Sequence, residues 1–208
     1  MKKIPDYFNG EFKLFSSCYN KPQLISSELP QILLLGKSNV GKSSLINLLC
    51  NQKRLAKTSK TPGRTISINF FINQKHQNFL LVDFPGYGFA KVSDKQRKIW
   101  DELISTYLKD PKAPKETFLL HDCRRDISDL DLGMISLLEK HKLRFHLILT
   151  KCDKLSKLEV AAKKESLASE LKASNFFGNE IFITSSSKRT GLNELKKYFN
   201  EIIYNGYN

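Results

Sequence analysis

The chain has 208 residues, 40% of them hydrophobic and 26% charged, and its 34 Lys and Arg against 21 Asp and Glu leave a formal net charge of +13. That length suits one domain with a substantial core, and the composition excludes a disordered or collagen-like chain. The basic surplus fits a polyanionic partner such as nucleic acid or an acidic membrane surface, or serves only solubility, and is silent on fold.

Residues 1–29 are mixed in character and read as an N-terminal extension, with a single domain over 30–208. After Lys2 and Lys3 come Pro5, Asp6, Asn9, Gly10 and Glu11, so no apolar stretch of signal-peptide length follows the charges. No window approaches the roughly 20 apolar residues of a membrane span, which points to a cytoplasmic protein with no membrane partner. Cys18, Cys50, Cys123 and Cys152 stand too far apart for a zinc ribbon or redox dithiol and read as small buried hydrophobes. The apolar run Ile32 to Leu35, closed by Gly36, predicts a strand buried on both faces, and Leu45, Ile46, Leu48 and Leu49 predict a helix after it. Residues 51–64 are mostly polar and carry Lys53, Arg54, Lys57, Lys60 and Arg64 without one acid, a loop with Pro62-Gly63 as its turn.

Ile66–Ile72 and Asn78–Asp83 predict two strands joined as a hairpin. Trp100, Leu103, Ile104, Tyr107 and Leu108 mark one helical face. Further strands follow at Thr117–Leu120, Phe145–Leu149 and Ile181–Ile183. The helices between and after them carry Met134, Leu137 and Leu138, then Val160, Leu167, Ala168 and Leu171, and last Leu192, Leu195, Phe199, Ile202 and Ile203 beyond Gly191. Strands alternating with helices predict an α/β fold of three layers, a mostly parallel six-stranded sheet with helices on both faces.

Gly36-Lys37-Ser38-Asn39-Val40-Gly41-Lys42-Ser43 fits the phosphate-loop pattern of Gly, four residues, Gly, Lys and Ser, placed between a buried strand and a helix. There the backbone N–H groups and the helix N-terminus can face a phosphate. Lys42 would neutralise the β and γ phosphates, and the Ser43 hydroxyl would ligate Mg²⁺. Thr150-Lys151-Cys152-Asp153 follows a strand at the carboxyl edge of the sheet, where ligands of such folds bind. A carboxylate at Asp153 can accept from both N1–H and the 2-amino group of guanine and mispairs with adenine, which selects GTP over ATP. Lys151 would lay its aliphatic stem along the base. In Asp83-Phe84-Pro85-Gly86, Asp83 could hold a Mg²⁺ water and the Gly86 N–H could meet the γ phosphate. Within Thr61-Pro62-Gly63-Arg64-Thr65, ahead of Ile66 and Ser67, Thr65 is preferred to Thr61 as the second Mg²⁺ ligand because it immediately precedes the strand. A plain solvated turn is the other reading there. Thr184, Ser185 and Ser186 would present backbone groups to the guanine O6, or form an ordinary serine turn.

The set GKSNVGKSS, PGRT, DFPGYGFAKVS, TKCD and TSSSK resembles the EngB (YihA/YsxC) family of bacterial translation-factor-related GTPases over about residues 30–204. The resemblance implies a small G domain of the P-loop NTPase fold and a Mg²⁺-dependent GTPase cycling between GTP and GDP. It also implies action in assembly of the large ribosomal subunit, with loss associated with failed division and septation. Asp122-Cys123-Arg124 sits in the family's Asp-x-Arg setting, with Cys123 in the middle, and Cys152 replaces a common alanine; neither change touches a ligand role. Related GTPases with Asn at the position of Asn39 can bind K⁺ beside the phosphates, so Asn39 either holds K⁺ or braces the loop.

Lys42, Thr65 and Gly86 are the candidate catalytic residues. Hydrolysis needs an in-line water and compensation of charge on the γ phosphate. Tyr87 stands where signalling GTPases place the glutamine that orients that water, which predicts slow intrinsic turnover raised by a partner or a monovalent cation. The leading expectation is a monomeric GTP-operated switch that binds ribosomal RNA or a large-subunit precursor, without DNA specificity, and releases it after hydrolysis. Its basic residues from Lys53 to Arg64 and from Lys91 to Lys98 flank the two nucleotide-sensitive loops. An RNA-binding protein that needs GTP only for stability, and a nucleotide kinase on the same phosphate loop, are the alternatives. His76, His121, His141 and His146 are scattered and suggest no catalytic triad.

Overall fold

In the computed structural model the described residues are 3–57, 67–88, 94–112, 115–172 and 174–206. They form seven strands and five α-helices in the order β1 (Phe12–Cys18), β2 (Gln31–Gly36), α1 (Lys42–Leu49), β3 (Ile68–Asn73), β4 (Leu80–Asp83), α2 (Asp94–Lys109), β5 (Lys115–Asp122), α3 (Asp129–Lys140), β6 (Phe145–Thr150), α4 (Lys157–Leu171), β7 (Phe177–Ile183) and α5 (Leu192–Asn205). One sheet runs β1-β3-β4-β2-β5-β6-β7. β2 pairs in parallel with β4 and β5, and β5, β6 and β7 continue in parallel. The predicted hairpin is present as the antiparallel pair β3 and β4.

The sheet has one strand more than the six that hydrophobic patterning predicts. The extra strand, β1, lies within the segment read as an extension and pairs antiparallel with the far side of β3, from Phe12 opposite Asn73 to Cys18 opposite Ile68. A register shift between Leu14 and Ser16 interrupts its period of two, and Leu14 and Phe15 are both exposed. An edge strand with a bulge and solvated apolar side chains carries little of the in-out alternation that marks a strand in sequence.

Alternation does operate in the central strands, because each carries helices on both faces. From β2, Leu33 and Leu35 join one core with Leu103 and Ile104 of α2, Leu138 of α3 and Leu167 of α4. Its Ile32 and Leu34 join the opposite core with Leu45 and Leu49 of α1 and Leu195 and Phe199 of α5. With all of β2 and β6 buried, the parallel strands read as continuous apolar runs. The same arrangement brings the carboxyl ends of β2, β4, β5 and β6 to one edge. Among the described residues no helix is long and apolar enough to cross a membrane.

Candidate functional site

Residues 36–43 turn from the end of β2 into α1, and two glycines are required for that path. A Cβ on Gly36 would lie 2.9 Å from Val40 Cγ1 and 3.0 Å from the Leu120 carbonyl oxygen. Gly41 has φ of 112°, in the left-handed region, and is the N-cap of α1 without a side-chain hydrogen bond. A helix start leaves its first backbone N–H groups without intrahelical partners, and this N-cap supplies no side chain to take them. That is the cradle a phosphate needs, with the helix dipole adding to it.

Asp83, at the end of β4, is buried and receives the Lys42 ammonium in a close ion pair, each side chain about 10% exposed. Beyond it the chain runs alongside the phosphate loop as a short parallel extension. Phe84 N–H donates to Leu34 O at 3.1 Å, Tyr87 N–H to Gly36 O at 3.3 Å, and Ser38 N–H to Tyr87 O at 3.0 Å. Gly86 is pressed on this loop, where a Cβ would lie 3.0 Å from Ser38 Cα. The predicted γ-phosphate contact and the phosphate loop are thus one hydrogen-bonded unit.

Tyr87 itself is buried, and its hydroxyl donates to Asp131 Oδ1 at 2.7 Å, so the ring is turned into the protein toward α3. Asp131 closes a capping box on α3. Its Oδ2 accepts from Ser128 N–H at 3.0 Å and from Ser128 Oγ at 2.7 Å. Lys37 of the phosphate loop reaches the same corner, 2.7 Å from Ser128 Oγ and 3.7 Å from Asp131 Oδ2. Burial pushes the Asp131 pKa up, but the hydrogen bonds from Ser128 and Tyr87 and the charge of Lys37 outweigh it and hold the carboxyl below its ordinary value. For the Tyr87 hydroxyl, burial first and the Asp131 charge second raise the pKa far above the usual range.

The guanine motif lies on the adjacent strand end. Thr150 Oγ1 donates to Val40 O at 2.7 Å, which ties β6 to the phosphate loop. Lys151, at a left-handed φ of 59°, donates to Asn39 O at 2.7 Å. Asp153 sits in a single 3₁₀ turn, Cys152–Lys154, and its Oδ1 accepts from Ser185 Oγ at 2.6 Å. That hydrogen bond, before all else, holds the Asp153 carboxyl down to about 2, so it stays an acceptor at neutral pH.

Thr184 and Ser185 use their side chains inward. Thr184 Oγ1 donates to Leu149 O at 2.8 Å, and Ser185 is 1% exposed. Their backbones are engaged as well, Thr184 N–H donating to Leu149 O at 2.8 Å and Ser185 N–H to Thr190 O at 3.2 Å, so of the predicted 184–186 backbone contacts with O6 the N–H of half-buried Ser186 is the one these bonds do not use. A cleft of about 720 Å³ borders the phosphate loop, lined among others by Lys37, Ser38, Asn39, Tyr87, Asp122 and Lys151.

The structure therefore gathers Gly36 to Ser43, Asp83 to Gly86, Thr150 to Asp153 and Thr184 to Ser186 at one sheet edge, with Ser67 buried at the start of β3. Thr61, Gly63, Arg64, Thr65 and Ile66 lie outside the described residues. Among the described residues no group of three or more His, Cys, Asp or Glu could hold a metal. The predicted Mg²⁺ set is of another kind, Ser43 and Thr65 with Asp83 through a water; Thr65 lies outside the described residues, and Asp83 stands against Lys42 at the start of α1. Sequence reasoning missed Asp131 and Ser128, although Ser128-x-x-Asp131 is a legible capping signal. It also gave Asp122 no task.

A family model described as 50S ribosome-binding GTPase matches residues 31–151. A probable GTP-binding protein EngB of Caldanaerobacter subterraneus subsp. tengcongensis is 38% identical over 187 residues, covering 90% of this chain and 94% of that protein. Its counterpart of the same description in Desulfovibrio desulfuricans is 42% identical over 182 residues, covering 88% and 87%. A crystal structure of a probable GTP-binding protein EngB superposes with a TM-score of 0.65 over 84% of this chain and 99% of the other, at 23% identity, a likeness of fold.

Proposed function

For a chain that belongs to the EngB family of GTP-binding proteins, we propose a GTP-operated switch in assembly of the large ribosomal subunit, needed for normal cell division and septation and acting in the cytoplasm as a monomer. The observation that carries the switch is the backbone ladder from Gly36 and Ser38 to Tyr87. A group that contacts the phosphate loop and Gly86 at once reports on the γ phosphate through a single rigid unit. The ribosomal half of the proposal is supported by the description of the matching family and by the position of the basic residues. Lys53, Arg54 and Lys57 lead into the acid-free segment whose remaining members, Lys60 and Arg64, precede β3.

In this reading Lys42 would bind the β and γ oxygens, leaving the Asp83 carboxylate for a metal-bound water, and Ser43 and Thr65 would hold Mg²⁺ directly. Mg²⁺, when bound, would neutralise negative charge on the β and γ phosphates. Lys42 thereby exchanges a carboxylate for a phosphate, so no charge is left unpaired at the helix start. Gly86 would offer its N–H to the γ phosphate, and Asp153 would read the guanine edge while the Ser186 N–H meets O6. Tyr87, anchored on Asp131, has no freedom to orient water, which supports slow intrinsic hydrolysis and dependence on a partner, or on K⁺ held at Asn39.

Sedimentation with large ribosomal subunits in GTP and in GDP over a salt series tests the coupling. Tighter binding in GTP is expected, with log affinity falling by about 0.7 to 0.9 per phosphate neutralised for each tenfold rise in salt. A Lys57→Ala, Lys60→Ala double variant should flatten that slope in GTP, and identical sedimentation in both nucleotides would refute the switch. The anchored Tyr87 also favours a second reading, an RNA-binding protein stabilised by GTP with vestigial hydrolysis. Rescue of depleted cells by a variant that binds GTP without hydrolysing it would select that one.

A further inference from the structure

Asp122-Cys123-Arg124 stands at the end of β5 and has no part in the chemistry above, yet its carboxylate makes the densest set of charged contacts in the cleft. Asp122 Oδ2 receives Lys151 Nζ at 2.9 Å and Arg124 NH2 at 2.6 Å. Its Oδ1 receives Arg124 Nε at 2.8 Å and Arg124 N–H at 3.2 Å. The guanidinium thus grips the carboxylate with both prongs of its fork, the geometry that fixes orientation best. That grip, with Lys151 second, holds the Asp122 carboxyl well below the usual range. The far side of the Lys151 ammonium is held by Asn39 O at 2.7 Å.

We propose that Asp122 is a positioning residue for the guanine nucleotide, acting through Lys151. A lysine has four rotatable bonds and, one third exposed as Lys151 is, would sample many rotamers in water. Between a carbonyl of the phosphate loop and a carboxylate of β5 it has one. The aliphatic stem is then a fixed wall for the base, and the ammonium fastens the guanine motif to the phosphate loop. A nucleotide bound across both segments can leave only after that fastening opens. Arg124 acts one step further out by keeping Asp122 ionised and aimed. The inference rests on the guanine-nucleotide reading of Asp153 and deepens it.

The test is release of a fluorescent GDP from the full-length protein, followed by displacement with excess unlabelled GDP. Asp122→Ala should speed release about 10- to 100-fold, the range set by losing one hydrogen bond to a charged group. Asp122→Asn keeps the shape and should fall between the variant and wild type, which carries the test if Asp122→Ala does not fold. The preference for GDP over IDP should stay constant, because Asp153 reads the base edge. In a Lys151→Ala background Asp122→Ala should add less than about twofold, since the two residues act as one. Release within twofold of wild type in both Asp122 variants, or effects that multiply in the double variant, would overturn the proposal. A wild-type protein that takes up no fluorescent GDP would overturn the guanine-nucleotide reading itself, a separate outcome.

Discussion

Replacing Tyr87 by Phe removes a single oxygen, and the structure fixes what that oxygen does. Its hydroxyl donates to Asp131 Oδ1 at 2.7 Å, and Asp131 is 1% exposed. Water cannot easily take the vacated place, while Oδ2 keeps Ser128 N–H, Ser128 Oγ and the more distant Lys37. One hydrogen bond to a buried charged group is worth about 1.5–3 kcal/mol. In a domain of this size each kcal/mol moves Tm by about 2–4 °C, so Tyr87→Phe should melt roughly 3–12 °C below wild type near neutral pH. The pH dependence has a fixed sign. The Asp131 carboxyl is held below its ordinary value in the folded protein, so the stability it contributes is present above the unfolded carboxylate pKa and lost as pH falls through the folded one. Removing a donor raises the folded pKa, and the gap between wild type and variant should therefore be widest near neutrality and shrink below about pH 4. Urea unfolding of both proteins across that range measures it. Equal stability at neutral pH, or a gap that widens in acid, would refute the anchoring of Tyr87 on Asp131.

Three other substitutions or conditions probe the same geometry. Asp153→Asn should weaken GDP binding by at least about a hundredfold and bring in xanthine nucleotides, because an amide can accept from N1–H but must donate at position 2, where xanthine carries a carbonyl; competition with XDP checks it, and retained guanine preference would contradict it. Gly191→Ala should cost more than about 3 kcal/mol, since Gly191 has φ of 76° and its Cβ would fall 1.9 Å from Ile183 O at the start of α5; wild-type thermal stability would show that the turn is not as described. GTP turnover should be faster in KCl than in NaCl at equal ionic strength, and equal rates would remove Asn39 as a K⁺ ligand.

How far the sequence reached depended on where each signal is written. Leu33 and Leu35 against Ile32 and Leu34 announce a strand covered on both faces, and Gly36 to Ser43 announces the phosphate loop at its end. The spacing of Leu103, Ile104 and Tyr107 shows α2 in the same way, because a buried helix face repeats at a local period. β1 does not, since its partner in β3 is far away in sequence and the bulge at Leu14 to Ser16 breaks its alternation. The site obeys the same division. Lys42, Asp83 and Asp153 were legible because a motif places each next to residues it works with. Asp131 and Asp122 act on Tyr87 and Lys151 from other elements, and only the sheet order reveals which carboxylate meets which donor. Even Thr184 and Ser185 illustrate it, for the backbone N–H groups expected at the guanine O6 pair instead with Leu149 O and Thr190 O, and their side chains are spent on Leu149 O and Asp153.

The edge strand has a temporal side. Cys18 and Phe12 pair with Ile68 and Asn73, residues made 50 to 61 positions later. At a synthesis rate of about 5–20 residues per second, β1 waits roughly 3–12 s for its partner, and β3 in turn needs β4 before it has a sheet to join. Phe12, Leu14 and Phe15 spend that interval unpaired, in the first strand to emerge. Bound on one side only in the finished molecule, as β7 is at the opposite edge, β1 should exchange its amides with solvent early, so this edge of the fold can open and reseal without disturbing the nucleotide edge built on β2, β4, β5 and β6.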